Sequence, residues 1–181
     1  MNIYITADTH FGHGFNSVDG NHFLLKQRGF PDSQSMDAAL TDIWNETIAP
    51  EDTVYHLGDF AWKNPVSYLK NLNGKITLVK GNHDKGQLAH LRKLITVTDY
   101  MELKVNKQKY ILCHFPLYSW NGSSHNTSIH LHGHSHGKIV LTHDQDKGCF
   151  DVGVDTNNFK PYNLDEFIPL FNTWKALQDA V

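Results

Sequence analysis

Short apolar runs alternate with helix-like segments from residue 2 to residue 79, and this alternation restricts the fold more than any other feature. Residues 2–7, 53–57 and 75–79 are rich in apolar and β-branched side chains, as buried strands are. Strands that alternate with helices form parallel sheets. The first part of the chain therefore predicts a β-α-β-α-β layout.

The two segments between these runs carry helix signals. Apolar side chains recur at helical spacing over residues 36–48, after a candidate cap among residues 32–35. Asn64-Pro65 opens a second, shorter helix, whose inner face we expect to carry Val66 and Leu69.

The pattern changes after residue 99. Residues 100–105 and 109–113 look like an antiparallel hairpin joined through residues 106–108. Further strands are predicted at residues 128–132, 138–141 and 150–155. A parallel half followed by an antiparallel half indicates a mixed α/β fold, a two-sheet sandwich with helices outside.

Two segments are less regular. Residues 164–180 are helix-like, although Pro169 must kink this helix or mark a second start. Residues 12–34 have little periodicity and predict a long loop, which is often functional. With 40% hydrophobic side chains, the 181 residues are enough for one core, so we expect a single domain over residues 1–181.

Composition limits the possible partners and the compartment. A net charge of −3 gives no general attraction for nucleic acid or anionic membranes, so an anionic substrate must be attracted locally. The sequence has only two cysteines, Cys113 and Cys149, and shows neither a leader nor a long apolar run. These features favour a cytoplasmic protein with reduced thiols. The oligomeric state is left open.

Polar residues that bind metals follow the predicted strands. They stand in five segments: Asp8-Thr9-His10, Gly58-Asp59, Gly81-Asn82-His83-Asp84, His114, and Gly133-His134-Ser135-His136. The carboxyl ends of strands form the binding crevice of open α/β sheets, so these segments are expected to converge. Each motif alone is equally consistent with a turn, a cap or a polar patch, but all five in this order are hard to obtain by chance.

The five segments resemble the signature of the calcineurin-like metallophosphoesterase family: D-x-H, G-D, G-N-H-D, a lone H and G-H-x-H. The start D-T-H-F-G-H is similar to a small bacterial and phage branch of that family. The resemblance implies two divalent cations per chain, bridged by Asp59. One would be bound by Asp8, His10, Asp59 and His136, and the other by Asp59, Asn82, His114 and His134.

The ligand types suit a borderline metal, because they combine imidazole, carboxylate and one amide oxygen. Mn²⁺ is the expected ion, with Fe, Zn or Ni as alternatives. Two such cations roughly 3.5–4 Å apart lower the pKa of a shared water and present hydroxide in line with phosphorus. His83 is then expected beside the leaving-group oxygen, with Asp84 orienting its ring. A solvent-facing or supporting role for His83 is the alternative.

Other side chains are weaker candidates for substrate binding. His13, Arg28 and His125 flank the signature, and Arg28 is either a bidentate grip on a phosphate oxygen or a solvated loop residue. Trp120 either stacks on a base or closes a turn. The remaining histidines, among them His22, His56, His90 and His143, are interpreted as structural or solvated.

The resulting hypothesis is a dinuclear metal-dependent hydrolase of a small phosphorylated substrate, such as a nucleotide. Phosphodiesters are favoured over monoesters, and the chain is too small for a substrate-selecting cap domain, which predicts an open cleft. A nuclease on the same site is an alternative, although no basic stripe supports it. A protein-interaction scaffold is a further alternative, against which the complete ligand set argues.

Overall fold

The computed structural model describes residues 1–16, 22–139 and 148–178, in which two β-sheets are flanked by helices. The strands are β1 (Ile3–Thr6), β2 (Thr53–His56), β3 (Lys75–Val79), β4 (Thr96–Thr98), β5 (Met101–Val105), β6 (Gln108–Leu112), β7 (Ser128–His132), β8 (Cys149–Asp151) and β9 (Tyr162–Asn163). The helices are α1 (Phe23–Arg28), α2 (Ser33–Thr47), α3 (Pro65–Asn71), α4 (Leu88–Leu91) and α5 (Phe167–Gln178). The predicted mixed α/β fold with two sheets is confirmed.

The first sheet has the order β4-β3-β2-β1-β9. Strands β1 to β4 are parallel, as the β-α-β-α-β pattern predicts, and β9 runs antiparallel to β1. The short strands β4 and β9 were not predicted, because two or three residues are too few to show a period.

The second sheet has the order β5-β6-β7-β8 and is mixed. The hairpin of β5 and β6 is antiparallel, but β6, β7 and β8 are parallel to one another. The expectation of an antiparallel second half is therefore wrong beyond the hairpin. Residues 113–127 connect β6 to β7 and are long enough for a crossover, which allows the parallel pairing.

Several predicted boundaries change. The hairpin turn has two residues, Asn106 and Lys107, both with positive φ, and Val105 pairs with Gln108. The predicted strand 150–155 ends at residue 151 and gives way to a 3₁₀ turn, Val154–Thr156. Of the predicted strand 138–141, residues 140 and 141 lie outside the described residues, as does His143.

The segment 12–34 is not one long loop, because it contains α1 and the start of α2. His22 Nδ1 accepts a hydrogen bond from the Leu24 N–H at the start of α1, and Gly29 ends the helix with φ 76°. Six residues give too short a period to recognise in the sequence. Helix α2 begins as predicted, where the Asp32 carboxylate accepts from the Ser35 N–H at 2.7 Å.

Both faces of the first sheet are covered, which explains its nearly continuous apolar strands. On one face, Met36, Leu40 and Trp44 of α2 pack with side chains that include Val54 and Leu78.

On the other face, Ile5, Leu57 and Val79 pack against the second sheet through residues such as Leu112 and Leu131. Helix α5 covers the edge of this second core. It begins at Phe167, so Pro169 lies in its first turn, as a second start requires.

Helix α3 begins with Pro65 at its first position, as predicted. Tyr68 and Leu69 pack against the core, whereas Val66 is not part of the core cluster, so the predicted inner face is only partly right. Among the described residues, no helix is long and apolar enough to span a membrane.

Candidate metal centre

The predicted ligand segments meet at the carboxyl ends of strands from both sheets. Asp8 and His10 follow β1, Asp59 follows β2, His114 follows β6, and His134 follows β7. The Asp8 Oδ2 atom accepts a hydrogen bond from the His134 N–H at 2.8 Å, which joins the two sheets directly at this point. The expected convergence is therefore present in the structure.

Asp59 lies at the centre of the cluster. Its Oδ2 atom is 3.7 Å from His10 Nε2 and 3.6 Å from His114 Nε2. Its Oδ1 atom accepts the His83 N–H at 2.9 Å, which fixes the carboxylate plane. A carboxylate oxygen between rings from two different ligand groups is the arrangement that a bridging ligand needs.

Asp8 is fully buried, and its Oδ1 atom has no hydrogen-bond partner. Burial, followed by repulsion from Asp59 and Asp151, raises the pKa of Asp8 well above its usual value. An unpartnered carboxylate oxygen beside other carboxylates is costly to bury unless a cation offsets the charge. The donor set therefore fits a divalent metal.

Within the described ranges of the chain, two groups of side chains come close enough to hold an ion. The first is Asp8, His10 and His136, and the second is Asp8, Asp59 and His114; in each, the ligand atoms lie within 4.8 Å of one another. The first group contains three of the four ligands expected for one ion. The second combines Asp8 and His114, which are expected on different ions, with the expected bridging residue Asp59.

The imidazoles are held in the form that binds metals. His114 Nδ1 donates to the Leu57 carbonyl at 2.8 Å, which fixes the ring so that Nε2 faces the centre, 2.9 Å from Asn82 Oδ1. Burial, then the charge of Arg28, lowers the pKa of His10 well below 6.5, so this ring is neutral at neutral pH.

The ligand positions have unusual backbone angles. Positive φ values occur at Asp8 (59°), His10 (51°), Asp59 (54°), His134 (69°) and His136 (50°). Such conformations cost energy in non-glycine residues and persist where the surroundings enforce them, often at functional sites.

Glycines make the close approach possible. A Cβ atom on Gly81 would lie 2.2 Å from Asp59 Oδ1, and one on Gly133 would lie 2.5 Å from Asp8 Oδ2. The glycines of the G-N-H-D and G-H-x-H motifs are therefore required by the space that the carboxylates occupy.

These features match a known domain: residues 1–152 match the calcineurin-like phosphoesterase superfamily domain. The chain belongs to this superfamily. Membership supports a phosphoester hydrolase, and the two ligand groups support metal binding by this phosphoesterase.

Relatives of this phosphoesterase occur in archaea, phages and bacteria. The protein MJ1445 of Methanocaldococcus jannaschii is 29% identical over 182 residues, covering 97% of this chain and 94% of its own. The Gene 66 protein of Mycobacterium phage D29 is 26% identical over 184 residues, covering 85% and 88%. The crystal structure of AQ665 from Aquifex aeolicus, a protein of unknown function, has a TM-score of 0.73 at 24% identity and covers 93% of this chain and 98% of its own. The AQ665 comparison supports the fold.

His136 of the phosphoesterase is oriented by a residue that the sequence did not point to. Its Nδ1 atom is 2.6 Å from Asp155 Oδ2, so the Nε2 atom is left for the metal side. Burial opposes ionisation of Asp155, but hydrogen bonds from His136 and Arg28 outweigh it and hold the pKa at about 2.

Arg28 is buried and its donors are used within the protein. The Nε and Nη2 atoms donate to the two oxygens of Asp155, each at 2.8 Å. Nη2 also donates to the Asp8 carbonyl at 2.6 Å, and Nη1 to the Thr9 carbonyl at 3.0 Å. The expected bidentate hydrogen bond from Arg28 to a phosphate is therefore not supported. Arg28 instead stabilises the backbone of Asp8 and Thr9, in the first ligand segment.

His83 lies near Asp59 and is partly exposed to solvent. Its side chain is 43% exposed, and Nε2 is 3.9 Å from Asp59 Oδ2. Asp84, however, does not orient the His83 ring as predicted. Its oxygens accept the N–H groups of Asp59, Phe60 and Gly81 at 2.8–3.0 Å, so Asp84 joins the β2 and β3 loops.

The other predicted substrate residues have different outcomes. The His13 ring stacks on His10 with centroids 5.2 Å apart, so it is next to the centre. Burial and the neighbouring His22 lower the pKa of His13 to about 4. His125 is exposed on the Ser123–His125 turn, and no described contact joins its side chain to the centre. Trp120 is buried and donates to Ser128 Oγ at 3.1 Å, so it closes a turn rather than facing a base.

Proposed function

We propose that this phosphoesterase hydrolyses phosphodiesters with two divalent cations, Mn²⁺ being the preferred ion. The observation that carries the proposal is the position of Asp59, whose Oδ2 atom lies within 4 Å of both His10 Nε2 and His114 Nε2. A single carboxylate oxygen so placed can serve an ion on each side. The unpartnered Oδ1 atom of Asp8 supports the same proposal.

The proposed ligand sets divide the cluster around Asp59. One set is Asp8, His10, Asp59 and His136, and the other is Asp59, Asn82, His114 and His134. Bound there, two divalent cations activate the attacking water and neutralise charge on the phosphoryl oxygens. The mixture of imidazole and oxygen ligands favours Mn²⁺ over Mg²⁺, which prefers oxygen alone.

The residues off the metals have separate tasks in this proposal. His83 is exposed and close to Asp59, so it can donate a proton to the departing ester oxygen or stabilise its charge. Asp84 holds the Asp59 amide in place through a 2.9 Å hydrogen bond. Asp155 and Arg28 fix the orientation of His136 and the Asp8 backbone.

The hydrogen bonds that Arg28 makes within the protein favour diesters over monoesters as substrates. A monoester dianion carries one more negative charge than a diester and benefits from a bidentate cation. Arg28 contacts the backbone of the first ligand segment, and its donors are occupied by Asp155 and by two carbonyls. We also place the protein in the cytoplasm, since two cysteines among 181 residues are too few for a disulfide framework.

The test is hydrolysis of bis(4-nitrophenyl) phosphate and of 4-nitrophenyl phosphate by protein stripped with a chelator and reloaded with Mn²⁺, Zn²⁺ or Mg²⁺. We expect no turnover by the stripped protein, the fastest turnover with Mn²⁺, and a larger kcat/KM for the diester. An Asp59→Asn variant purified in parallel measures contaminating phosphatases and should be inactive.

Different results would count against different parts of the proposal. Full activity in the chelator would refute a metal mechanism. A larger kcat/KM for the monoester would refute the diester preference and leave the metal centre standing.

A further inference from the structure

A cleft beside the metal centre is formed by residues that the mechanism does not use. It has a volume of about 340 Å³ and is lined by side chains that include His13, Phe15, His22, Trp62 and Lys63. Phe15 is 71% exposed and Trp62 is 42% exposed. Large aromatic side chains with this much exposure around one concavity are typical of a binding site.

The aromatic rings form a continuous path from the cleft to the metal ligands. Trp62 stacks on His13 with centroids 4.5 Å apart and an interplanar angle of 24°. His13 in turn stacks on the ligand His10, at 5.2 Å. The cleft is therefore separated from the metal centre by the thickness of about one ring.

His83 lies between the cleft and Asp59. Its ring centroid is 5.2 Å from that of Trp62, and its Nε2 atom is 3.9 Å from Asp59 Oδ2. If His83 assists the departing ester oxygen, the group attached to that oxygen leaves beside Trp62. The cleft is then on the leaving-group side of the phosphorus, an assignment that rests on the proposed function.

The chemistry of the lining selects among leaving groups. Planar aromatic walls bind planar heterocycles by stacking, and a nucleobase is the common biological group of this kind. Lys63 adds a positive charge, with Nζ 5.0 Å from the centre of the Phe15 ring. The net charge of −3 disfavours a long polyanion, so a short nucleotide fits better than extended nucleic acid.

We propose that this cleft binds the nucleobase of the leaving group, so that the substrates are small diesters that release a nucleoside or nucleotide. Trp62 is the main stacking residue of this site. It determines specificity and takes no part in bond cleavage.

The test uses adenylyl-(3′→5′)-adenosine and two analogues, each with hydrogen in place of one of the bases. The product that keeps the phosphate identifies the leaving group: adenosine 3′-phosphate means that the 5′-linked nucleoside left, and adenosine 5′-phosphate means that the 3′-linked one left. Removing the base from the leaving side should lower kcat/KM roughly 5–150-fold, the equivalent of about 1–3 kcal/mol for one base stacked on an aromatic ring. Removing the other base should have a much smaller effect.

Variants connect the preference to Trp62. Trp62→Leu should make base-bearing and abasic leaving groups equal, whereas Trp62→Phe should keep most of the preference. Tyr118→Leu is the matched control, because Tyr118 is a 78% exposed aromatic residue in the loop after His114 and does not line the cleft. It should behave as wild type. Mn²⁺ content and the thermal melting curve show whether each variant is folded.

The outcomes separate this inference from the proposed function. If bis(4-nitrophenyl) phosphate is hydrolysed but the dinucleotide and its abasic analogues show no base preference, the cleft assignment alone is overturned. The same conclusion follows if the base preference persists in Trp62→Leu. If no diester is hydrolysed, the proposed function fails, and calorimetric binding of AMP and ribose 5-phosphate decides about the cleft. Tighter binding of AMP that Trp62→Leu abolishes supports the site, and equal binding of the two ligands overturns it.

Discussion

Replacing Arg28 with alanine tests whether the buried guanidinium supports the metal centre or contacts the substrate. In the structure its two-pronged hydrogen bond to Asp155 is buried, since the Arg28 side chain is 1% exposed and the Asp155 side chain 8%. Two further donors satisfy the carbonyls of Asp8 and Thr9. The substitution removes all of these hydrogen bonds and leaves Asp155 as a buried carboxylate with only His136 as its partner.

The expected loss in the free energy of unfolding is about 3–5 kcal/mol, the usual effect of removing one partner of a buried ion pair. Arg28→Lys should recover only part of it, because one ammonium group cannot reach both Asp155 oxygens and two carbonyls. The losses in Arg28→Ala and Asp155→Ala should not add in the double variant, because both remove the same interaction.

Urea denaturation in the presence of a chelator measures these losses without a contribution from bound metal. Arg92→Ala is the matched control, because Arg92 is the other arginine of the chain and is exposed; its effect should be within about 0.5 kcal/mol. If Arg28→Ala keeps wild-type stability but raises KM for the diester, the argument is refuted, and Arg28 binds the substrate.

Three further predictions concern the centre and its surroundings. Asp59→Asn should lose both metal ions by elemental analysis, because a bridging carboxylate serves both, whereas Asp8→Asn should weaken chiefly one; two retained ions in Asp59→Asn would contradict the bridging role. His83→Ala should keep both ions but lower kcat roughly 10²–10⁴-fold, with the largest loss for poor leaving groups. The control His90→Ala, at an exposed histidine, should stay active. Loss of metal from His83→Ala would show that His83 is a ligand instead. Burial lowers the pKa of His130 from 6.5 to about 4. Between these two pH values the unfolded chain binds more protons than the folded one. The free energy of unfolding should therefore fall by about 3 kcal/mol as the pH is lowered through this range. His130→Gln should show a correspondingly shallower pH dependence in urea denaturation, and equal slopes would show that His130 does not titrate as described.

The convergence of the candidate ligands was predictable because each of them follows the end of a strand. A parallel strand pattern brings its carboxyl ends to one edge, so the positions of Asp8, Asp59 and Asn82 in the sequence already imply their meeting. The backbone angles and the Asp8–His134 hydrogen bond were not predictable, because they depend on how the two sheets approach each other.

Residues that act through long-range contacts were missed. Asp155 follows the last strand of the second sheet, and its local sequence does not distinguish it from a surface aspartate. Only the structure shows that His136 and Arg28 contact its carboxylate. Trp62 was missed for a similar reason. Trp120 and Trp62 are both in loops, and only the structure shows that the first is buried and the second is exposed beside the centre.

The strained ligand loops are held by hydrogen bonds that do not involve the ligand atoms facing the metal. Asp84 accepts the amides of Asp59 and Gly81, so the loops after β2 and β3 move together. The Asp8 Oδ2 atom accepts the His134 amide, which ties β1 to β7 across the sheets. These hydrogen bonds and the two packed cores maintain the unfavourable backbone angles of the candidate ligands. The centre should therefore bind metal less tightly when the contacts between the sheets are weakened, even if every candidate ligand is kept.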